Sequence, residues 1–416
     1  MQTPPAEKAA RLPVFAALGI IAAALALADI APDRTGPGVT CDELYHIGYG
    51  KRLVASALTS GCWTTQPDRI RKTYSWTAGG PPVHPPLGNW ILGWTHWVFD
   101  PEPLDLTVLA ITPARFAAAL ALGILVFLIG RFTAGEQGTA AGAAAAIAVV
   151  LMPRLFGHAH LATLDLFTAL FCTAAVTTAV EAQRRGDSRL WYALAGVAWG
   201  LAMLTRFHGL LVGIPIGIWI IWAAERRRAT AFILWASVGL IVFFLGWPWL
   251  WIDPLGNLRL YVIGSTLRTP IHTFYLGRIW DDVAVPWHYP WVLFTVTIPV
   301  GLLLLGALGV WGAFPRRAGL SKSVEARLVR WNFPHLFLRR AGFSRSVEAA
   351  SHENIAGREQ ASPLGRGWWL VLGTIVFFLV LFSAPRVPVY DGERLLLPVF
   401  PLWAVFVGIG AKRLVD

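Results

Sequence analysis

Six short clusters hold residue types able to do chemistry. The first is Cys41-Asp42-Glu43-Leu44-Tyr45-His46, where adjacent acids offer a general base and a partner for a cation. Its plainer reading is a helix start with Thr40 as cap and acids in the first turn, which is compatible with catalysis. The second is His84-Pro85-Pro86-Leu87, whose prolines stiffen the backbone around His84; taken alone it reads as a rigid turn. The third runs from Arg154 through His158 and His160 to Asp165. A carboxylate expected inside a helical span needs a partner, and His158 and Arg115 are the candidates. The group reads as a phosphate clamp or as a structural ion network. The fourth is the tight turn Arg206-Phe207-His208. The fifth is Asp391-Gly392-Glu393-Arg394, where Arg394 meets a lipid phosphate or merely snorkels. The sixth gathers Arg268, His272, Arg278, Trp280, Asp281, Asp282 and His288, a set suited to a sugar or to an interfacial aromatic belt.

The elements that must position these groups follow from composition. Of 416 residues, 56% are hydrophobic and 14% charged, with 35 Lys and Arg against 24 Asp and Glu for a net charge of +11. Ordinary soluble domains carry about 25% charged residues, so this chain cannot cover a water-soluble body. The bases lie between apolar blocks rather than in a groove or tail, which argues against nucleic acid. Crossing a bilayer takes about 17–25 apolar residues; apolar stretches fall at 13–30, 112–130, 139–153, 158–180, 190–205, 208–224, 229–251, 290–312, 368–384 and 394–411, of which 139–153 and 190–205 are shorter than that length. The spacing therefore predicts an all-α polytopic membrane protein of about ten transmembrane helices. Basic connections mark the cytoplasmic side: Lys8 and Arg11, Arg131, Arg184 to Arg189, Arg226 to Arg228, and Lys412-Arg413. Both termini are then cytoplasmic, and all six clusters fall on the opposite, extracytoplasmic face. Scattered structural pairs have no reason to choose one face, and a conduction path needs polar groups through the whole depth.

Two outer loops are long, 31–111 and 252–289, and the first requires internal structure. Its Trp-rich stretch 88–99 is expected to be an interfacial helix. Cys41 and Cys62 share that loop, where an oxidising compartment allows a bridge. Cys172 reads as a small buried hydrophobe within a span. Residues 316–326, RRAGLSKSVEA, reappear at 339–349 as RRAGFSRSVEA, a duplication in a basic cytoplasmic insert. The organisation is then a transmembrane catalytic module over 1–312, an insert over 313–367, and a C-terminal transmembrane hairpin over 368–416.

Asp42-Glu43 just after the first span, the His84-Pro85-Pro86-Leu87 segment, Arg154 with Asp165 around span four, and the Leu204-Thr205-Arg206 turn together resemble one family. It is the polyprenyl-phosphate-dependent membrane glycosyltransferases of the GT-C fold, which include the protein O-mannosyltransferases and the aminoarabinose transferases. The similarity runs from about residue 10 to 312 and again over 368–411, and lies nearest the bacterial members of family 39. The resemblance implies a sugar carried on a polyprenyl phosphate and a protein, lipid or glycan acceptor arriving from outside the cell membrane. It implies that Asp42 is the base or acceptor-orienting carboxylate, with Glu43 supporting it or helping to hold a divalent ion where members use one. Arg154, Arg206 and Arg394 would receive the leaving lipid phosphate, with Tyr45, His84, His158, Asp165 and His288 in support. No cofactor is otherwise implied.

The chemistry stands beside the name. A glycosyl phosphate leaves as a stabilised anion, so cationic groups can replace a general acid. A single attack by a deprotonated acceptor inverts the anomeric centre. The competing class is a transporter or lipid flippase, which would call for inverted repeats or broken mid-membrane helices. The sequence departs from many relatives in its span number and its 313–367 insert, and it lacks an Asp-X-Asp pair in the first outer loop.

Overall fold

A computed structural model describes residues 5–60, 65–75, 82–101, 109–224, 228–266, 270–313 and 364–416. Cys62, Arg268 and both copies of the duplication lie outside these residues. The helices are α1 (Pro5–Leu27), α2 (Cys41–Ser60), α3 (Pro67–Tyr74), α4 (Leu87–Phe99), α5 (Ile111–Gln137), α6 (Thr139–Leu151), α7 (Pro153–His158), α8 (Asp165–Arg184) and α9 (Arg189–Met203). They continue with α10 (Phe207–Ala223), α11 (Arg228–Gly246), α12 (Trp249–Ile252), α13 (Pro254–Thr266), α14 (Tyr289–Thr297), α15 (Val300–Ala313), α16 (Leu364–Phe382) and α17 (Phe400–Val415). A 3-10 segment, Gly392–Val399, leads into α17.

Every apolar stretch read from the sequence contains helix. Four described segments, Ile111–Gln137, Asp165–Arg184, Arg228–Gly246 and Gly392–Val415, are long and apolar enough to cross a membrane. The pair α14 and α15 makes a fifth if taken as one span, although it bends by 110°. The break falls at Ile298-Pro299: a residue before proline is driven out of the helical region, and Ile298 is extended at φ −94° and ψ 130°. The stretch 290–312 is thus two helices rather than the one straight span expected. The shorter apolar helices include Thr139–Val150 and Phe207–Ala223. Large apolar side chains such as Ile20, Ile124, Ile218, Ile233 and Leu240 face outward from the bundle, as a lipid-facing surface requires. The chain is a multi-pass membrane protein.

Small residues let the backbones close up. A Cβ on Gly123 of α5 would stand 2.6 Å from the Gly19 carbonyl oxygen of α1. Gly50 of α2 and Gly93 of α4 meet backbone to backbone in the same way. The second crossing pins the helices of the first long loop together, so 31–111 does carry internal structure, with the Trp-rich stretch helical as α4. The all-α expectation needs one amendment. The second loop contains an antiparallel hairpin of β1 (His272–Tyr275) and β2 (Arg278–Asp281), pairing His272 with Asp281 and Phe274 with Ile279.

Candidate active site

The site begins with the local sequence at α2. Thr40 and Glu43 form a reciprocal capping box: the Thr40 amide donates to Glu43 Oε2 at 3.0 Å and the Glu43 amide to Thr40 Oγ1 at 3.4 Å. The Thr40 cap expected from sequence is therefore present. Glu43 is also fully buried and paired with Arg115, whose Nε donates to Oε1 at 2.7 Å and Nη2 to Oε2 at 2.8 Å. The Ala162 amide adds a third anchor at 2.8 Å. Arg115 spends its remaining donors on the carbonyls of Ile30, Pro37 and Gly38. Burial works to raise the Glu43 carboxyl, but Arg115 and the amides of Ala162 and Thr40 outweigh it and hold it below the ordinary value.

This geometry changes two expectations. Arg115 pairs with Glu43, not with Asp165. A divalent ion does not fit at Glu43, because both of its oxygens already accept from Arg115 and from backbone amides. Among the described residues, no group of three or more His, Cys, Asp or Glu side chains is arranged to hold a metal.

Asp165 is the first residue of α8, at the very start of the candidate span Asp165–Arg184 rather than within its length, and follows a turn that ends α7. Its carboxylate is fully buried at the positive end of that helix. Arg206 Nη1 donates to Oδ1. On Oδ2, Arg394 donates from Nη2 at 2.9 Å and from Nε at 3.3 Å, with His158 Nδ1 at 3.8 Å. His158 is thus near Asp165 but beyond hydrogen-bond distance, and the two guanidiniums are the groups that bond the carboxylate.

Arg206 reaches the cluster because it is the extended residue, φ −152° and ψ 165°, that joins α9 to α10. The turn is tied down by Thr205, whose Oγ1 donates to the Ala202 carbonyl at 2.7 Å. Arg394 reaches it from the 3-10 segment. Two left-handed residues, Asp391 at φ 55° and Gly392 at φ 64°, turn the chain there, and aspartate and glycine are the types that tolerate this. Arg394 Nη1 returns to Asp391 Oδ2 at 3.1 Å. Its Nη2 also donates to Asp42 Oδ2 at 2.5 Å. Asp42 is one-third exposed, and its Oδ1 takes the weak Cys41 thiol contact at 3.8 Å.

The remaining predicted residues fall at varying distance from this network. Arg154 is exposed and pairs with Glu393 Oε1 at 3.1 Å, outside the Asp165 cluster that holds Arg206 and Arg394. Tyr45 lies exposed one turn along α2 from Asp42. His288 sits with the hairpin, its Nδ1 2.8 Å from the Tyr275 hydroxyl. His84 stacks near His46, ring centroids 5.7 Å apart, and His46 Nδ1 lies 3.0 Å from Asn89 Oδ1. Burial first, then the Arg206 charge, pushes both imidazoles down, His46 to about 4, so both are neutral at pH 7. Sequence reasoning left His46 and Asn89 without a role. The available signal was the four-residue spacing of Asp42 and His46, which places them on one face of α2.

An apolar cavity of about 250 Å³ lies beside the cluster, lined by Tyr74, Leu87, Trp90, Trp94, Leu204 and Pro248. The Leu87 amide donates to the Leu204 carbonyl at 3.0 Å, which ties its wall to the Arg206 turn. The whole arrangement balances two guanidiniums against three carboxylates, with a neutral imidazole pair and an apolar recess alongside.

The chain is similar in sequence and in fold to known proteins. Residues 83–252 match the family model of dolichyl-phosphate-mannose-protein mannosyltransferase. A polyprenol-phosphate-mannose–protein mannosyltransferase of Mycolicibacterium smegmatis is 25% identical over 167 residues, 39% of this chain and 30% of that protein. The chain thus matches less than a third of the length of that relative. Among solved structures, apo ArnT from Cupriavidus metallidurans superposes with a TM-score of 0.57 at 17% identity, over 96% of this chain and 59% of that one. Its complex with undecaprenyl phosphate gives 0.57 at 14% identity, over 96% and 60%. The Archaeoglobus fulgidus oligosaccharyltransferase with zinc and sulfate gives 0.52 at 13% identity, over 98% and 49%. The chain thus shares the GT-C fold of these membrane proteins, and its segment 83–252 matches the mannosyltransferase family model.

Proposed function

We propose that the protein transfers a sugar from a polyprenyl-phosphate donor to a hydroxyl or amine acceptor on a protein, lipid or glycan. The observation that carries the reading is the convergence of Asp42, Asp165, Arg206 and Arg394, from four separate segments, at one end of the helix bundle. In this reading the donor phosphate displaces Asp42 and Asp391 from the outer faces of Arg394, while buried Asp165 keeps both arginines aimed. The acceptor O–H attacks the anomeric carbon opposite the phosphate, and Asp42 takes its proton. The bond from the anomeric carbon to the phosphate oxygen breaks with its electron pair left on the phosphate, where Arg206 and Arg394 meet the charge. One displacement inverts the anomeric centre. The apolar cavity beside Leu204 would take the first part of the lipid chain, and neutral His46 and His84 would offer hydrogen bonds to sugar hydroxyls. Glu43 and Arg115 act as positioning residues that set the start of α2, and Arg154 guides the phosphate from the rim.

The same proposal includes about ten membrane crossings, cytoplasmic termini, the basic insert 313–367 on the cytoplasmic side, and the site facing outward, at the plasma or inner membrane. It is supported by the basic connections of the sequence and by the gathering of the site residues at one end of the bundle. The test is to incubate the purified chain with polyprenyl-phosphate sugars and an acceptor panel, following release of polyprenyl phosphate and labelled product by mass spectrometry. Product formation with stoichiometric lipid phosphate is expected. Substrate movement across vesicles with no covalent product would overturn the reading.

A further inference from the structure

The β1–β2 hairpin has a free end that the proposed chemistry does not use. Its inner face packs on the protein: Thr273 and Tyr275 are buried, and Thr273 Oγ1 donates to the Val389 carbonyl at 3.2 Å. Its outer face is graded. At the base, His272 and Asp281 form a polar pair, Nδ1 to Oδ1 3.1 Å. At the tip, the paired Phe274 and Ile279 are each 73% exposed and Leu276 is 71% exposed.

The turn residue is itself informative. Leu276 and Gly277 take φ 49° and 76°, a two-residue turn with both centres left-handed. Such turns favour Asn-Gly, and a leucine is strained there, so an apolar side chain is kept at the tip against the local backbone preference. The segments on either side of the hairpin expose apolar side chains too. Leu255 and Ile263 on α13 before it, and Trp287 and then Val296 on α14 after it, are exposed as well. Exposed Arg278 stands next to the tip, where a guanidinium meets lipid phosphates while its stem stays in apolar surroundings.

We propose that the hairpin tip inserts Phe274, Leu276 and Ile279 into the headgroup–acyl boundary of the phospholipid bilayer. It acts there as an anchor for the segment carrying Arg394. The mechanical link is short: the Val389 amide donates to the Asp282 carbonyl at 2.9 Å, and Val389 lies two residues before Asp391 in the run leading to Arg394. The polar base and apolar end match the polarity gradient of a membrane interface better than they match a water-filled cleft. This inference rests on the chain being membrane-spanning and not on the transfer reaction, so either can fail alone.

The test uses the full chain in nanodiscs of phosphatidylcholine and phosphatidylglycerol, with a photo-crosslinking side chain at position 276 and, as a control, at outward-facing position 304 of α15. Phospholipid adducts at both positions are expected. Adducts at 304 with none at 276, or crosslinks from 276 to protein, would overturn the anchor. A second measurement compares the parent chain with Leu276→Asn, a substitution that suits the turn and should fold. Hydrogen exchange over 272–281 in nanodiscs is expected to speed up severalfold despite the better turn, and unchanged or slower exchange would also overturn it.

Discussion

Arg394 bridges to Asp165 across 229 residues of sequence, its Nη2 2.9 Å from Asp165 Oδ2, while the same nitrogen holds Asp42 at 2.5 Å. One guanidinium therefore links the buried carboxylate of α8 to the half-open carboxylate of α2. A planar fork can serve two oxygens at once, whereas an ammonium cannot hold both in fixed directions. The link gives Asp42 and Asp165 different duties, because only Asp42 has access to solvent and to an incoming acceptor.

If Asp42 takes the acceptor proton, Asp42→Asn should fold normally and still bind donor, since Arg394 keeps Asp165. Transfer should drop about 100-fold or more, in line with the contribution of a positioned base. Turnover with labelled donor and donor affinity by quenching of tryptophan fluorescence would be read side by side. Near-parental turnover would remove Asp42 from the role.

Asp165→Asn should act on stability first. It leaves Arg206 and Arg394 without their buried counter-charge, and breaking such a group costs about 3–5 kcal/mol. Thermal unfolding in detergent should show a clearly lower midpoint, together with a raised KM for donor because the two guanidiniums lose their common reference. An unchanged midpoint would mean that the arginines find other partners.

Glu43 and Arg115 should behave as a unit. Arg115→Met strands a buried carboxylate and should destabilise by about 3–5 kcal/mol. Replacing both residues, Glu43→Gln with Arg115→Met, should recover part of that loss, which a double-mutant cycle would measure as positive coupling. Additive losses would show that the pair is not coupled. Metal chelators should leave the stability of the parent chain unchanged at this position.

The pH response follows from His46. Burial and the nearby Arg206 push it down to about 4, from an ordinary value of 6.5. Between these values the unfolded chain binds a proton that the folded chain refuses. Stability should therefore be full above pH 7 and fall as pH drops through 6.5 toward 4, by on the order of 3 kcal/mol in total. His84, displaced in the same direction, steepens the fall. His46→Gln should flatten the slope between pH 7 and pH 5 in unfolding midpoints. Parallel pH curves for parent and variant would exclude this origin.

Much of the fold was legible in the residues because its signals are local. An apolar run shows its length, and each run read as a span contains helix. Thr40 followed three residues later by Glu43 is a helix start that needs no tertiary information. The order of the acid pair, the His84-Pro85-Pro86 segment and the Arg206 turn also carries the resemblance to the GT-C fold that the superpositions show. Pro299 was a visible break signal, yet the apolar composition around it outweighed it and concealed the bend in 289–313.

What the sequence by itself determined is therefore the membrane setting, the helical segments and the set of residues able to do chemistry. Only the tertiary structure decided which charges meet. Arg115 stands as well placed for Asp165 as for Glu43 when read along the chain, and packing gave it to Glu43. Arg154 is the firmest match of the three arginines when read from the motifs, yet it lies at the rim with Glu393. The hairpin was hidden too, because four-residue strands carry too little periodicity to separate from loop. The physical reason is common to all three. Local pattern depends on neighbours in sequence, whereas an ion pair inside a bundle depends on distances of a few ångströms set by helix crossings far apart in the chain.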